Sequence, residues 1–234
     1  MTKTVVITGA GRGIGRATAL LFAQHGATVV LAARTAAELH SLANEITHAG
    51  GQAVVVPCDV GDENDVLRLM DIASETGNGQ IDVLVCAAGV ARIAPFEQLS
   101  LADWEQTLRV NLTGTFLCCK YAAPLLAEGG LIVALSSIAG RSGFPNWSAY
   151  SAAKFGLMGF TQAIREELRP RGIRVTSIIS AAVDTPLWDD VPGEWNHANM
   201  LQPAEIAHTI LHVATTPPHI QMDEVMIGHV VGKL

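Results

Sequence analysis

Thr4-Val5-Val6-Ile7-Thr8-Gly9-Ala10-Gly11-Arg12-Gly13-Ile14-Gly15 stands near the start of the chain, and its reading decides the fold. Thr4–Ile7 is a β-branched apolar run, the pattern of a buried strand. Glycines follow at once, and a helical pattern takes over from about Gly13 to His25. Glycine lets a backbone turn tightly and approach a pyrophosphate without a Cβ in the way, and the helix N-terminus behind it offers free N–H groups and a partial positive charge. A glycine cluster alone is weak evidence, because an ordinary strand-to-helix turn can also be glycine-rich. Its place between a first strand and a first helix makes it a dinucleotide-binding candidate, with Gly9, Arg12, Gly13, Ile14 and Gly15 as contacts.

The alternation continues outward from that stretch. Strands are expected at Thr28–Ala32, Ala53–Pro57, Ile81–Cys86, Leu131–Leu135, Ile173–Ile178 and Val225–Ile227. Helices are expected at Ala36–Ala49, Glu63–Ser74, Leu101–Ala127, Ala149–Leu168 and Ala204–Ala214. Strands separated by helices imply parallel pairing with right-handed crossovers. The expected fold is therefore α/β: one Rossmann-type domain over 1–234, a doubly wound parallel sheet with helices on both faces. Residues 1–90 form mainly the cofactor half, and 91–234 the catalytic half. The stretch Asp184–Gln202 lacks periodicity and is expected to be a substrate loop.

Bulk properties agree with this. Hydrophobic residues make up 49% of the 234 and charged ones 16%, as a sheet buried on both faces requires; a partner subunit could cover further apolar surface. No apolar run reaches the ~18 residues of a membrane span, and the first strand starts too early for a signal peptide. A cytoplasmic protein that binds no membrane is expected. The net charge of -7, with no basic cluster, argues against a nucleic-acid partner. Cys58, Cys86, Cys118 and Cys119 show no CxxC spacing and read as small buried apolar residues.

Cofactor choice is written after the second strand. NAD-preferring folds place a carboxylate there for the ribose 2′-hydroxyl, but this chain reads Leu31-Ala32-Ala33-Arg34. Arg34 and Arg12 offer two guanidiniums, whose planar fork suits a 2′-phosphate; otherwise they are ordinary surface arginines. NADP(H) is favoured over NAD(H).

The second half carries Ser137, Tyr150 and Lys154. Tyr150 and Lys154 lie four apart on an expected helix, hence on one face. A general acid/base works best near the working pH. Bringing a phenol from about 10 to about 7 takes about 4 kcal/mol of preferential stabilisation of the phenolate. A nearby ammonium and a positive nicotinamide ring are a source for it.

These residues, with their surroundings, resemble the classical short-chain dehydrogenase/reductase family over nearly the whole chain. The resemblance is carried by Thr8-Gly9, Gly13-Ile14-Gly15, Cys58-Asp59-Val60, Ala87-Ala88-Gly89, Asn111, Ser137 and Tyr150-Ser151-Ala152-Ala153-Lys154. The step from Ser137 to Tyr150 matches the family spacing and selects Ser137 over Ser136. The resemblance implies roles. Tyr150 exchanges the proton with the substrate oxygen, and Ser137 holds that oxygen. Lys154 binds the nicotinamide ribose and lowers the Tyr150 pKa. Asn111 sits at a helix kink and holds a relay water. Asp59 and Val60 meet the adenine, Cys86, Ala87 and Gly89 line the cofactor floor, and Val183 and Thr185 meet the nicotinamide. Hydride transfer needs no metal. A small carbonyl or alcohol substrate and a homodimer or homotetramer are implied. The chain departs from the family at Cys86, where an asparagine is usual, at Ser180-Ala181 in place of Pro-Gly, and in its tail, Val230-Val231-Gly232-Lys233-Leu234.

Other features carry less. His208 and His212 share a helix face, but no acidic third ligand completes a zinc pattern. Asp189, Asp190 and Glu194 could select a cationic substrate or simply be solvated. Trp188 and Trp195 form either a lid over the pocket or packing for the loop. Against the enzyme stands one alternative, a dinucleotide-sensing binding protein with vestigial catalysis, which an assay of NADPH oxidation against carbonyls separates.

Overall fold

A computed structural model describes residues 3–232, the side chain of Asp190 excepted. The elements run β1 (Thr4–Thr8), α1 (Gly13–Gln24), β2 (Thr28–Ala33), α2 (Ala36–His48), β3 (Gln52–Pro57), α3 (Glu63–Thr76) and β4 (Ile81–Cys86). They continue with α4 (Leu101–Leu108), α5 (Gly114–Ala122), β5 (Leu126–Leu135), α6 (Ser148–Leu168), β6 (Arg174–Ser180), α7 (Pro203–Thr215) and β7 (Glu224–Ile227). The seven strands form one sheet in the order β3-β2-β1-β4-β5-β6-β7, and every pairing is parallel.

Side-chain alternation along the strands feeds two cores. Val5, Ile7, Val29 and Leu31 pack with Ala19, Leu39, Leu42, Ile206 and Ile210, so α1, α2 and α7 cover one face. Val6, Val30 and Leu84 pack with Val66, Leu69, Leu117 and Ile164, so α3, α5 and α6 cover the other. All five residues of β1 are buried, which explains why its sequence is apolar on both faces rather than alternating. Strand order reverses between β1 and β4. In an open α/β sheet the crevice outside the carboxyl ends at such a switch point is where ligands bind.

One expected element is corrected. The helix drawn to Ala127 stops at Ala122. A 3-10 turn over Ala123–Leu125 follows, and β5 starts at Leu126 rather than Leu131. Pro124 has no N–H to continue the helix. Leu126 pairs with Ile81, a register irregularity intervenes, and pairing resumes at Leu131 with Val83. The same long helix is also interrupted: Arg109–Thr113 is a π-turn between α4 and α5. Over the stretch 184–202 the chain forms 3-10 turns at Pro186–Asp190 and His197–Asn199, held at its base by a bridge between Val183 and Leu201.

Candidate active site

The carboxyl ends of β1, β4, β5 and β6 open into a cavity of about 520 Å3. Its first wall is the turn between β1 and α1. Gly9 has φ +67°, and a Cβ there would come within 2.7 Å of the Ala87 carbonyl oxygen. At Gly15 a Cβ would overlap the carbonyl oxygen of Gly9. The turn therefore lies closer to its neighbours than any side chain permits. The α1 N-terminus has no side-chain cap, and its first turn has no acidic residue. Free N–H groups at a positive dipole end, with the glycine cradle before them, fit a pyrophosphate. Gly13 and Ile14 line the same wall, and Thr185, from the chain after β6, packs against Gly13.

Arg12 and Arg34 both line the cavity, and among the described residues neither makes an ion pair. Glu38, in the first turn of α2, lies beside them against Gly11. It was not singled out from sequence; its position four residues after Arg34 was the available signal. Asp59 and Val60 also line the cavity, but the Asp59 carboxylate is already engaged. It accepts from Gly61 N at 2.9 Å and from Arg109 Nη2 at 3.0 Å.

Ala87 and Gly89 lie on the floor between the two halves, whereas Cys86 does not line the cavity. Cys86 is buried with Cys118 and Cys119 beside it; the Cys118 thiol favours loss of its proton, but the Cys119 thiol and burial together outweigh this and hold the Cys86 thiol protonated. The Thr8 hydroxyl bridges this region, accepting from Ala87 N at 3.2 Å and Ala88 N at 3.3 Å. All four cysteines are buried free thiols. Among the described residues no group of three His, Cys, Asp or Glu side chains could hold a metal ion.

The catalytic candidates converge from three elements. Ser137 follows β5, Tyr150 and Lys154 stand one turn apart on α6, and Asn111 lies in the π-turn; all four line the cavity. Ser137 and Tyr150 line the cavity together, and the Ser137 hydroxyl, which accepts from Ala139 N at 3.1 Å, acts to ease the proton from the Tyr150 phenol. Ser136, by contrast, is buried with its hydroxyl unpartnered. Lys154 Nζ donates to the Leu135 carbonyl at 2.6 Å and sits 5.5 Å from the centre of the Tyr150 ring. Asn111 donates to Val90 O and Thr107 O, each at 2.8 Å, and accepts from Val90 N at 3.3 Å. Its amide thus clips the loop after β4 to the helix.

Electrostatics here differ from expectation. Burial pushes the Tyr150 phenol up to about 12, with the Ser137 hydroxyl acting the other way. Burial also brings the Lys154 ammonium down to about 8. In the protein alone one N–H of Lys154 is given to the Leu135 carbonyl, and burial outweighs any lowering of the Tyr150 phenol.

At the far side stand Trp147, Trp188 and Trp195, with Phe144, Pro145 and Leu187. Trp188 and Trp195 tie the loop down through Nε1, to Val183 O at 2.9 Å and Val191 O at 3.3 Å, and both also line the cavity. Packing and lining are thus combined in the same rings. Val183 lines the cavity too. Asp184 is paired with His197 at 2.8 Å; Asp189 is exposed, and the Asp190 side chain lies outside the described residues.

Residues 3–194 match the short chain dehydrogenase family. The chain belongs to that family and is an oxidoreductase of it. It is 35% identical over 223 residues to a 3-oxoacyl-[acyl-carrier-protein] reductase of Synechocystis, covering 92% of this chain and 90% of the other. An alcohol dehydrogenase from Thermococcus sibiricus, solved with 5-hydroxy-NADP, superposes with a TM-score of 0.92 at 27% identity, covering 100% and 99% of the two chains. A short chain dehydrogenase from Burkholderia cenocepacia, in complex with NADP, gives 0.88 at 29% identity, over 97% and 96%. The family binds a nicotinamide dinucleotide and acts on small molecules. Among the described residues no helix is long and apolar enough to cross a membrane.

Proposed function

We propose that this protein interconverts a ketone or aldehyde and its alcohol using NADP(H), with Tyr150 as general acid/base. The observation that carries the reading is the convergence of Ser137, Tyr150, Lys154 and Asn111 at the end of a cavity that starts in a glycine cradle. When bound, the dinucleotide supplies or takes the hydride at the substrate carbon. Gly9, Gly13, Ile14 and Gly15 hold its phosphates, and Lys154 reaches the nicotinamide ribose. Tyr150 gives its proton to the carbonyl oxygen, which Ser137 steadies. Burial keeps the Tyr150 phenol protonated in the protein alone, and that proton is the one a carbonyl oxygen takes up on reduction.

Two unpaired arginines against one carboxylate, Glu38, leave a net positive adenosine end, which supports NADP(H) over NAD(H). The two structural neighbours solved with NADP or its 5-hydroxy derivative support the same choice. The Synechocystis relative is named for a 3-oxoacyl substrate, a ketone carbonyl, which agrees with the reaction type.

The test is NADPH oxidation against a panel of carbonyls. Tyr150→Phe keeps the ring but removes the transferable proton. Turnover is expected to fall about 10² or more, while NADPH affinity holds. Full activity in a folded Tyr150→Phe protein would end the assignment, and a wild type that binds NADPH but turns over no carbonyl would favour the sensing alternative.

A further inference from the structure

The cavity changes character along its length. Its charged lining residues are Arg12, Arg34, Glu38, Asp59 and Lys154. The first four come from the turns after β1, β2 and β3, and Lys154 is buried with its Nζ on a backbone carbonyl. Beyond Tyr150, the lining side chains Phe144, Pro145, Trp147, Leu187, Trp188 and Trp195 carry no charge. Three of these are indoles in contact. Trp147 lies edge-on to Tyr150 at 5.4 Å, Trp147 to Trp188 is 5.8 Å, and Trp188 to Trp195 is 4.8 Å between ring centres. Both loop indoles have spent their N–H on the backbone, so what they offer a ligand is ring surface.

Building on the carbonyl-reducing reading above, we infer that the group attached to the substrate carbonyl is an uncharged aromatic ring, seated on the Trp147–Trp188–Trp195 wall. A continuous wall of tilted rings starting at the proton donor accepts another ring by offset or edge-on contact, the preferred aromatic geometries. Among the described residues, a carboxylate or phosphate would find no cation at this end. A quaternary ammonium needs ring faces open around one point; here the rings follow one another along a wall, tilted 60° and 56°, and among the described residues no carboxylate lines this side. In reduction the hydride joins the carbonyl carbon of the aryl ketone, the C=O π pair moves to oxygen, and the Tyr150 proton completes the hydroxyl. NADPH is the reductant, and the proton is replaced from water.

Kinetics with NADPH on acetophenone, butanone and 3-oxobutanoate test this, with 3,3-dimethylbutanal set against its trimethylammonium isostere. Acetophenone is expected to exceed the other two ketones by about tenfold in kcat/KM, and the neutral aldehyde to exceed the cationic one. Trp188→Ala should reduce the acetophenone-to-butanone ratio about tenfold, whereas Trp104→Phe, outside the cavity, leaves it unchanged. Preference for 3-oxobutanoate or the cationic aldehyde, or an unchanged ratio in Trp188→Ala, overturns the inference. Calorimetric titration of benzamide, an aryl carbonyl whose amide does not accept hydride here, separates this from failure of the reductase reading. If no ketone turns over, benzamide binding that weakens about tenfold in Trp188→Ala still supports the aryl site, and no binding overturns it.

Discussion

Lys154 shows how a single side chain carries function against stability. It is buried, and its ammonium is brought from 10.5 to about 8 by that burial. The folded chain therefore releases this proton at about 8, the unfolded chain at 10.5. Between those values the unfolded state binds more protons, so stability rises with pH there and is lost as pH falls through 8. The change amounts to at most about 3 kcal/mol. Urea unfolding at pH 7.5 and 9.5 should show the wild type gaining stability relative to Lys154→Met as pH rises, a comparison in which the buried thiols common to both proteins cancel; the same pH dependence in both proteins would refute it. Arg34 carries the cofactor prediction. NADPH is expected to bind at least about tenfold tighter than NADH, a difference of about 1.4 kcal/mol, and Arg34→Asp to reverse the order. Equal affinities in the wild type, measured by calorimetry, would dismiss the two-arginine reading.

Elements were legible wherever their pattern had an independent end marker. The α1 start is announced by Gly13, and α3 by Asp62, whose carboxylate accepts from Asn64 N and Asp65 N. The end of α5 had only Pro124 to mark it, within an Ala- and Leu-rich stretch that suits helix and buried strand alike. What fixes the strand there is distant. Arg174, at the start of β6, donates to Gly129 O in β5 and to Val213 O and Thr216 O at the end of α7, at 3.2–3.4 Å. This one guanidinium ties three elements together and meets the helix at its negative end. Arg174→Met is expected to lower stability by about 2 kcal/mol with NADPH affinity within about twofold. Unfolding at the wild-type urea midpoint would show the tie to be idle.

For the whole molecule, the open question is assembly. Phe116 on α5 and Phe155 on α6 are 43% and 47% exposed, and Phe116 meets Phe160 of α6 edge-on at 6.0 Å, so the two helices together present apolar rings that a partner would remove from water. We propose that a second copy does so through a two-fold contact. Sedimentation at micromolar concentration should give a dimer or a multiple of it, and Phe116→Glu with Phe155→Glu should shift it toward monomer. A wild-type monomer would refute the proposal.

Local chemistry determined what the sequence could tell by itself. The glycine turn, the strand–helix alternation and the Tyr150–Lys154 spacing each lie within a few residues of one another, so propensity and periodicity reveal them without knowledge of the fold. Ser137 needed the resemblance, since it stands thirteen residues from Tyr150 and only a known spacing picks it over Ser136. Contacts between residues far apart in the chain were decided by tertiary structure. Glu38 beside Gly11, Arg109 on Asp59, Cys86 withdrawn from the cavity, and Trp147 against Trp188 all follow from how the sheet stacks its turns. So do the proton affinities of Tyr150 and Lys154, because burial shifts both, and burial belongs to the packed molecule rather than to any stretch of its sequence.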